Sequence, residues 1–109
     1  MTRISEINAK YGMFHAFTDD IGDCKFQFSA KDNLTSKDME TCSGSRILEG
    51  YRPPFDATCI ANLRKAGGKL VGKTNMDEVG FGTFSANSGF EIPLNPFDLE
   101  RACGGYSGG

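Results

Sequence analysis

Three features, in chain order, predict an α/β fold: a period-two segment at Lys25–Lys31, a helical stripe after Pro53-Pro54, and a short apolar strand at Lys69–Gly72. Strand, helix, strand is the βαβ unit, from which parallel sheets flanked by helices are built.

At the start of the chain, Ile4, Ile7 and Tyr11 fall at i, i+3 and i+7, one face of a short helix that Gly12 can close. His15, the one histidine, sits among Tyr11, Phe14 and Phe17 and reads as a packing residue; no two-histidine metal site can form within the chain. From Lys25 onward, Phe26, Phe28 and Ala30 alternate with Gln27, Ser29 and Lys31, which is strand periodicity. Lys31 is thereby placed at a strand's end on its polar face. Asp32-Asn33 favours a turn, and residues 35–46 read as a polar loop of small side chains. Pro53-Pro54 excludes helix before Phe55, Asp56 is the predicted N-cap, and Ala57, Ile60, Ala61 and Leu63 form the stripe of a helix ended by Gly67-Gly68. Beyond Asn75, glycines at 80, 82 and 89 and prolines at 93 and 96 predict a long irregular excursion, the kind of loop that lines sites.

The chain closes on Gly104-Gly105-Tyr106-Ser107-Gly108-Gly109. Glycines in this arrangement let a backbone turn sharply and approach a ligand without Cβ clashes, presenting hydroxyls and amides to it. Because Gly109 falls inside the loop, its chemistry is expected to need residues beyond it.

Composition narrows the function classes. A net charge of −2 gives the chain no electrostatic means of gripping nucleic acid or an anionic membrane by itself. No apolar run approaches the roughly 20 residues needed to span a bilayer, and Met1-Thr2-Arg3 opens onto a polar segment, so a cytoplasmic protein is expected. Cys24, Cys42, Cys59 and Cys103 contain no Cys-x-x-Cys pair, so neither a zinc nor a redox motif is indicated, and buried thiols without a disulfide framework are expected.

Gly67-Gly68-Lys69-Leu70-Val71-Gly72-Lys73-Thr74 matches the phosphate-binding loop G-x-x-x-x-G-K-[ST] letter for letter. That loop works when a strand precedes the first glycine and a helix follows the threonine, so that amides and a helix N-terminus converge on phosphate. Here a predicted helix precedes Gly67 and Leu70-Val71 belong to the next strand, so no nucleotide binding is expected. Lys31 is the sharper candidate: a strand-end lysine beside a glycine-rich hydroxyl loop can act as a general base when burial lowers its pKa.

Further residues place Lys31 in a family pattern. The chain contains Ala30-Lys31-Asp32-Asn33, Pro54-Phe55-Asp56-Ala57-Thr58, Leu63-Arg64-Lys65-Ala66-Gly67, Gly72-Lys73-Thr74-Asn75-Met76-Asp77-Glu78 and Asn95-Pro96-Phe97-Asp98-Leu99-Glu100-Arg101, in that order, before the glycine loop. This ordered set resembles the amidase signature family from about Tyr11 onward and, within it, is most similar to the A subunits of the amidotransferases that act on misacylated Glu-tRNA(Gln) or Asp-tRNA(Asn). The resemblance implies an α/β fold with a mixed sheet flanked by helices, of which residues 1–109 are an incomplete, N-terminal part. It implies amide hydrolysis through an acyl-enzyme by a lysine, a serine with a cis peptide bond and a serine nucleophile. Lys31 matches the lysine, the general base. Tyr106 falls where the family has the cis-serine, a departure, since a phenol is bulkier than an alkyl hydroxyl and no simple stand-in for it. The nucleophile and its oxyanion-hole amides would lie beyond Gly109, so the chain alone is expected to be inactive. The implied substrate is glutamine, whose ammonia a partner B subunit would use with ATP to amidate the misacylated tRNA, a small C subunit completing the complex. The chain itself would bind no cofactor or metal and would meet tRNA only through the partner, and no membrane. A free-standing amidase acting on small amides and a non-catalytic, truncated packing module remain open alternatives.

Overall fold

A computed structural model describes residues 3–109. Met1 and Thr2, which begin the polar opening segment, lie outside the described residues. Helix α1 spans Arg3–Tyr11, and Gly12 follows it with its amide donating to the Asn8 carbonyl at 2.8 Å. Ile4, Ile7 and Tyr11 are all half-buried, as their spacing predicts.

Strands β1 (Phe14–Phe17), β2 (Phe26–Lys31) and β3 (Gly68–Thr74) form a sheet in the order β1-β3-β2, with β3 central. β2 and β3 run parallel and are joined through helix α2 (Thr58–Lys65), the predicted βαβ unit. β1 pairs antiparallel with β3, so the sheet is mixed. The sequence reading does not anticipate β1. Phe14-His15-Ala16-Phe17 lacks polar alternation, and its partner lies more than fifty residues away. What admits it is Gly72: a Cβ there would meet the Phe14 ring at 2.6 Å, so only a glycine lets that ring lie across the central strand.

The core sits between the sheet and α2. Ala30, Met39, Ile60 and Leu70 are buried together, with Ala16, Phe28, Leu34 and Ala57 packed around them. Leu63 departs from the predicted stripe and is exposed. At about 100° per residue the buried face of α2 is centred near position 64, which leaves Leu63 at its edge. Arg64 takes the centre of that face, held by Asp38 at 2.9 Å and Asp56 at 3.1 Å. The predicted N-cap is also displaced. Ala57 caps α2 with no side-chain bond, while Asp56 accepts from the Lys37 amide at 3.0 Å and pairs with Arg64. The Asp56 carboxylate gains a charged partner there, which outweighs one neutral capping bond.

After β3 the chain is irregular apart from a short 3-10 turn at Glu78–Gly80; another 3-10 turn, at Arg46–Leu48, interrupts the loop between β2 and α2. No helix among the described residues is long and apolar enough to cross a membrane.

Candidate active site

The parallel strands β2 and β3 end side by side, with Lys31 opposite Thr74, and the Asp32 amide extends the pairing to the Thr74 carbonyl at 3.1 Å. Loops leaving the carboxyl ends of parallel strands are where α/β sheets gather binding residues. Here two loops meet. In the first, which follows β3, Asn75 is locked by its side-chain amide donating to the Gly12 carbonyl at 2.8 Å. The buried Asp77 carboxylate accepts from the amides of Asn87 at 2.8 Å and Ser85 at 3.2 Å, curling that loop about itself. The second is the glycine loop, laid onto the first by backbone bonds: Gly109 N–H to Asn75 C=O at 3.0 Å, Asp77 N–H to Tyr106 C=O at 3.3 Å, and Ser85 N–H to Gly105 C=O at 2.8 Å. A Cβ on Gly108 would come within 2.5 Å of Ser85 Oγ, so this contact requires glycine.

The docking of these loops brings Lys31 and Tyr106 together. The Lys31 ammonium lies 4.0 Å from the centre of the Tyr106 ring. Burial pushes the Lys31 pKa below its ordinary value of 10.5, against an opposing pull from the Asp77 carboxylate. A lysine so disposed releases its proton more readily than a solvated one, the property a general base needs. Tyr106 is half exposed and its ring face favours the charged amine, so it covers the lysine and gives it no hydroxyl relay. Ser107 is exposed, and every peptide bond among the described residues is trans.

Beneath Lys31 is a buried ionic group that sequence reasoning missed. Lys73 is fully buried, donates to Thr41 Oγ1 at 2.8 Å and lies 3.4 Å from Asp32 Oδ1. At that distance the carboxylate oxygen is held by charge attraction rather than a directed hydrogen bond. Asp32 Oδ2 accepts from the Cys42 amide at 3.1 Å. Burial pushes the Lys73 ammonium down and the Asp32 carboxyl up, and the attraction between them opposes both shifts. Lys73 is the lysine of the phosphate-loop match, which lies along strand β3 with helix α2 before it and, among the described residues, no α-helix after it. Its amine faces Asp32 and Thr41, where no phosphate can reach it. The chain is therefore expected to give no saturable ATP binding by calorimetry; binding that disappears in Lys73→Ala would overturn this.

On the other side of Asp32, His15 Nε2 donates to Glu40 Oε2 at 2.9 Å, and the His15 ring packs on Phe90 with centroids 4.0 Å apart. Of the four free thiols only Cys42 is buried as expected, Cys24 and Cys59 being exposed and Cys103 half-buried; the Cys42 thiol donates to the Leu48 carbonyl at 3.2 Å and lies 3.9 Å from Glu40 Oε2. Burial, then the neighbouring Asp32 and Glu40 carboxylates, push its pKa up to about 11. Nothing in the spacing of these three residues marks them in the sequence, because β1 and the loop after β2 meet only in the fold.

The chain resembles known proteins over most of its length. The Amidase family matches residues 27–109. The chloroplastic/mitochondrial glutamyl-tRNA(Gln) amidotransferase of Vitis vinifera has an A subunit that is 52% identical over 79 residues, covering 72% of this chain and 14% of that protein. The corresponding A subunit of Methanospirillum hungatei is 51% identical over 81 residues, covering 74% of this chain and 19% of its own length. The chain thus spans less than a fifth of these relatives. The crystal structure of the A subunit of Thermotoga maritima glutamyl-tRNA(Gln) amidotransferase superposes with a TM-score of 0.88 at 35% identity, over 94% of this chain and 24% of that one. With the family match over more than three-quarters of its residues and the fold shared with a solved relative, the chain belongs to the amidase family.

Proposed function

We propose that this chain is the N-terminal part of an amidotransferase A subunit that releases ammonia from glutamine. In this reading a partner B subunit uses the ammonia with ATP to amidate misacylated Glu-tRNA(Gln) or Asp-tRNA(Asn), and a small C subunit completes the assembly. The observation that carries it is Lys31, held at the carboxyl end of a parallel strand against the glycine loop with its pKa lowered by burial. The identity to the A subunits of Vitis vinifera and Methanospirillum hungatei supports the choice within the family.

The role of Lys31 is to accept the proton of a serine hydroxyl as that oxygen attacks the glutamine carboxamide, then to return a proton to the departing ammonia. In this reading the serine is not among the residues described, and Lys31 is the part of the relay that this segment supplies. Exposed rings at Phe81, Phe84 and Phe97 suit burial against the remainder of the domain. Tyr106 supports a competing reading, a non-catalytic packing module, because it presents a ring face to the Lys31 ammonium where the family has an alkyl hydroxyl.

The test is ammonia release from glutamine, measured for the full-length protein that carries this segment, for its Tyr106→Ser variant and for the 109-residue chain. The expected order is Tyr106→Ser above the parent, with no release by the 109 residues. Hydrolysis of simple amides but not glutamine would favour a free-standing amidase. Inactivity of both full-length forms on any amide would favour the packing module.

A further inference from the structure

We propose that His15, Glu40 and Cys42 form a site for one divalent transition-metal ion of the zinc class. Their ligand atoms all lie within 4.8 Å of one another. A tetrahedral zinc ion, with bonds of about 2.0 Å to nitrogen and oxygen and about 2.3 Å to sulfur, sets its N···O edge near ~3.3 Å and its S···O edge near ~3.5 Å. The corresponding separations are 2.9 Å from His15 Nε2 to Glu40 Oε2 and 3.9 Å from Cys42 Sγ to Glu40 Oε2. Those two edges change by a few tenths of an ångström on binding, and the third, between His15 and Cys42, lies within 4.8 Å and closes towards ~3.5 Å as the two side chains rotate.

The surroundings suit a cation better than a free nucleophile. The Asp32 and Glu40 carboxylates, both in contact with Cys42, place negative potential where a dication would sit. The thiol is buried and engaged with the Leu48 carbonyl, so it has no access to a substrate. Two of the three ligands face cavities open to solvent, and Cys42 closes the site from the buried side. Glu40 lines a cavity of about 410 Å³ with Asp38, Arg52 and Lys69, and His15 lines one of about 280 Å³ with Arg46, Glu49 and Glu91. Arg46, the cation nearest the second opening, is turned aside by Glu49 at 2.9 Å and by the Phe90 ring at 4.5 Å. A thiolate, an imidazole and a carboxylate are the donor set of zinc and cobalt(II), with water completing the fourth position.

Binding exchanges protons in a defined way. The imidazole proton moves from Nε2 to Nδ1 through solvent, the thiol proton passes to buffer, and bonds form from Nε2, Sγ and Oε2 to the ion. One proton is released per ion and no electron is transferred.

The probe is cobalt(II), whose thiolate complexes absorb in the near-ultraviolet, titrated into the 109-residue chain and then displaced by zinc. One cobalt per chain is expected, with the band removed by one equivalent of zinc. The triple variant Cys24→Ser, Cys59→Ser, Cys103→Ser should keep the band, and adding Cys42→Ser should abolish it. Glu40→Gln, on the more exposed side of the cluster, should weaken binding by at least about tenfold and tests the site even if Cys42→Ser fails to fold. Absence of a thiolate band, its loss in the triple variant, its survival in Cys42→Ser, or unchanged affinity in Glu40→Gln would each overturn the proposal.

Discussion

Replacing Lys31 by alanine in the full-length protein is expected to lower glutamine hydrolysis by about 10²–10⁴-fold through kcat, the range lost when a positioned general base is removed. The protein should remain folded. Lys31 is half-buried, and its described tertiary partner is the face of Tyr106, a contact worth about 1 kcal/mol at a partly exposed position. Circular dichroism on the same preparation separates the two effects, and near-normal hydrolysis by a folded Lys31→Ala protein would remove Lys31 from the mechanism. The pH dependence has a definite sign. Only the free amine accepts a proton, so kcat/KM should rise with pH through a value below 10.5, the ordinary lysine pKa that burial lowers here. Linkage runs the same way: the unfolded chain holds this proton more tightly than the folded one. The Lys31 contribution to stability is therefore unfavourable below the lowered folded pKa and fades as pH rises towards 10.5.

Asp32→Ala should be far more damaging to the fold. It removes the carboxylate beside the fully buried Lys73 ammonium and leaves the Cys42 amide without its acceptor. Breaking one side of a buried ion pair costs about 3–5 kcal/mol, a large part of the ~5–15 kcal/mol that holds a typical domain together. Urea unfolding of the 109-residue chain measures this directly. Because the loss comes from an uncompensated charge, Asp32→Ala with Lys73→Met should recover at least about half of it, since apolar replacement of a buried pair is often nearly neutral. A single variant within about 1 kcal/mol of the parent chain, or a double variant less stable than the single, would contradict the role assigned to the pair.

The two variants probe neighbouring residues with opposite consequences, and the sequence distinguishes them only in part. Strand periodicity places Lys31 on a polar strand end and Asp32 in a turn, which is where both are found. It does not reveal that Asp32 turns inward to meet Lys73. Lys73 follows the apolar pair Leu70-Val71 and then Gly72 in a strand buried over four consecutive residues, and a central strand enclosed on both faces shows no alternation from which to read its inward side chains. The phosphate-loop letters around it describe composition alone; the order of helix and strand decided against them.

Local regularities determined the βαβ unit, the end of α1 at Gly12, the irregular path after Asn75 and the ordered motifs of the amidase family, because period, turn chemistry and motif spacing all act between residues close in the chain. The antiparallel strand β1, the displaced cap at Asp56 and the exposure of Leu63 were decided by tertiary structure, where Gly72 admits the Phe14 ring and Arg64 draws Asp56 away from the helix end. Tertiary structure likewise decided that Tyr106 covers Lys31 across 75 positions of sequence and that His15 meets Glu40 and Cys42. Contacts of that kind depend on how two distant loops share backbone hydrogen bonds, and no pattern within either loop encodes its partner.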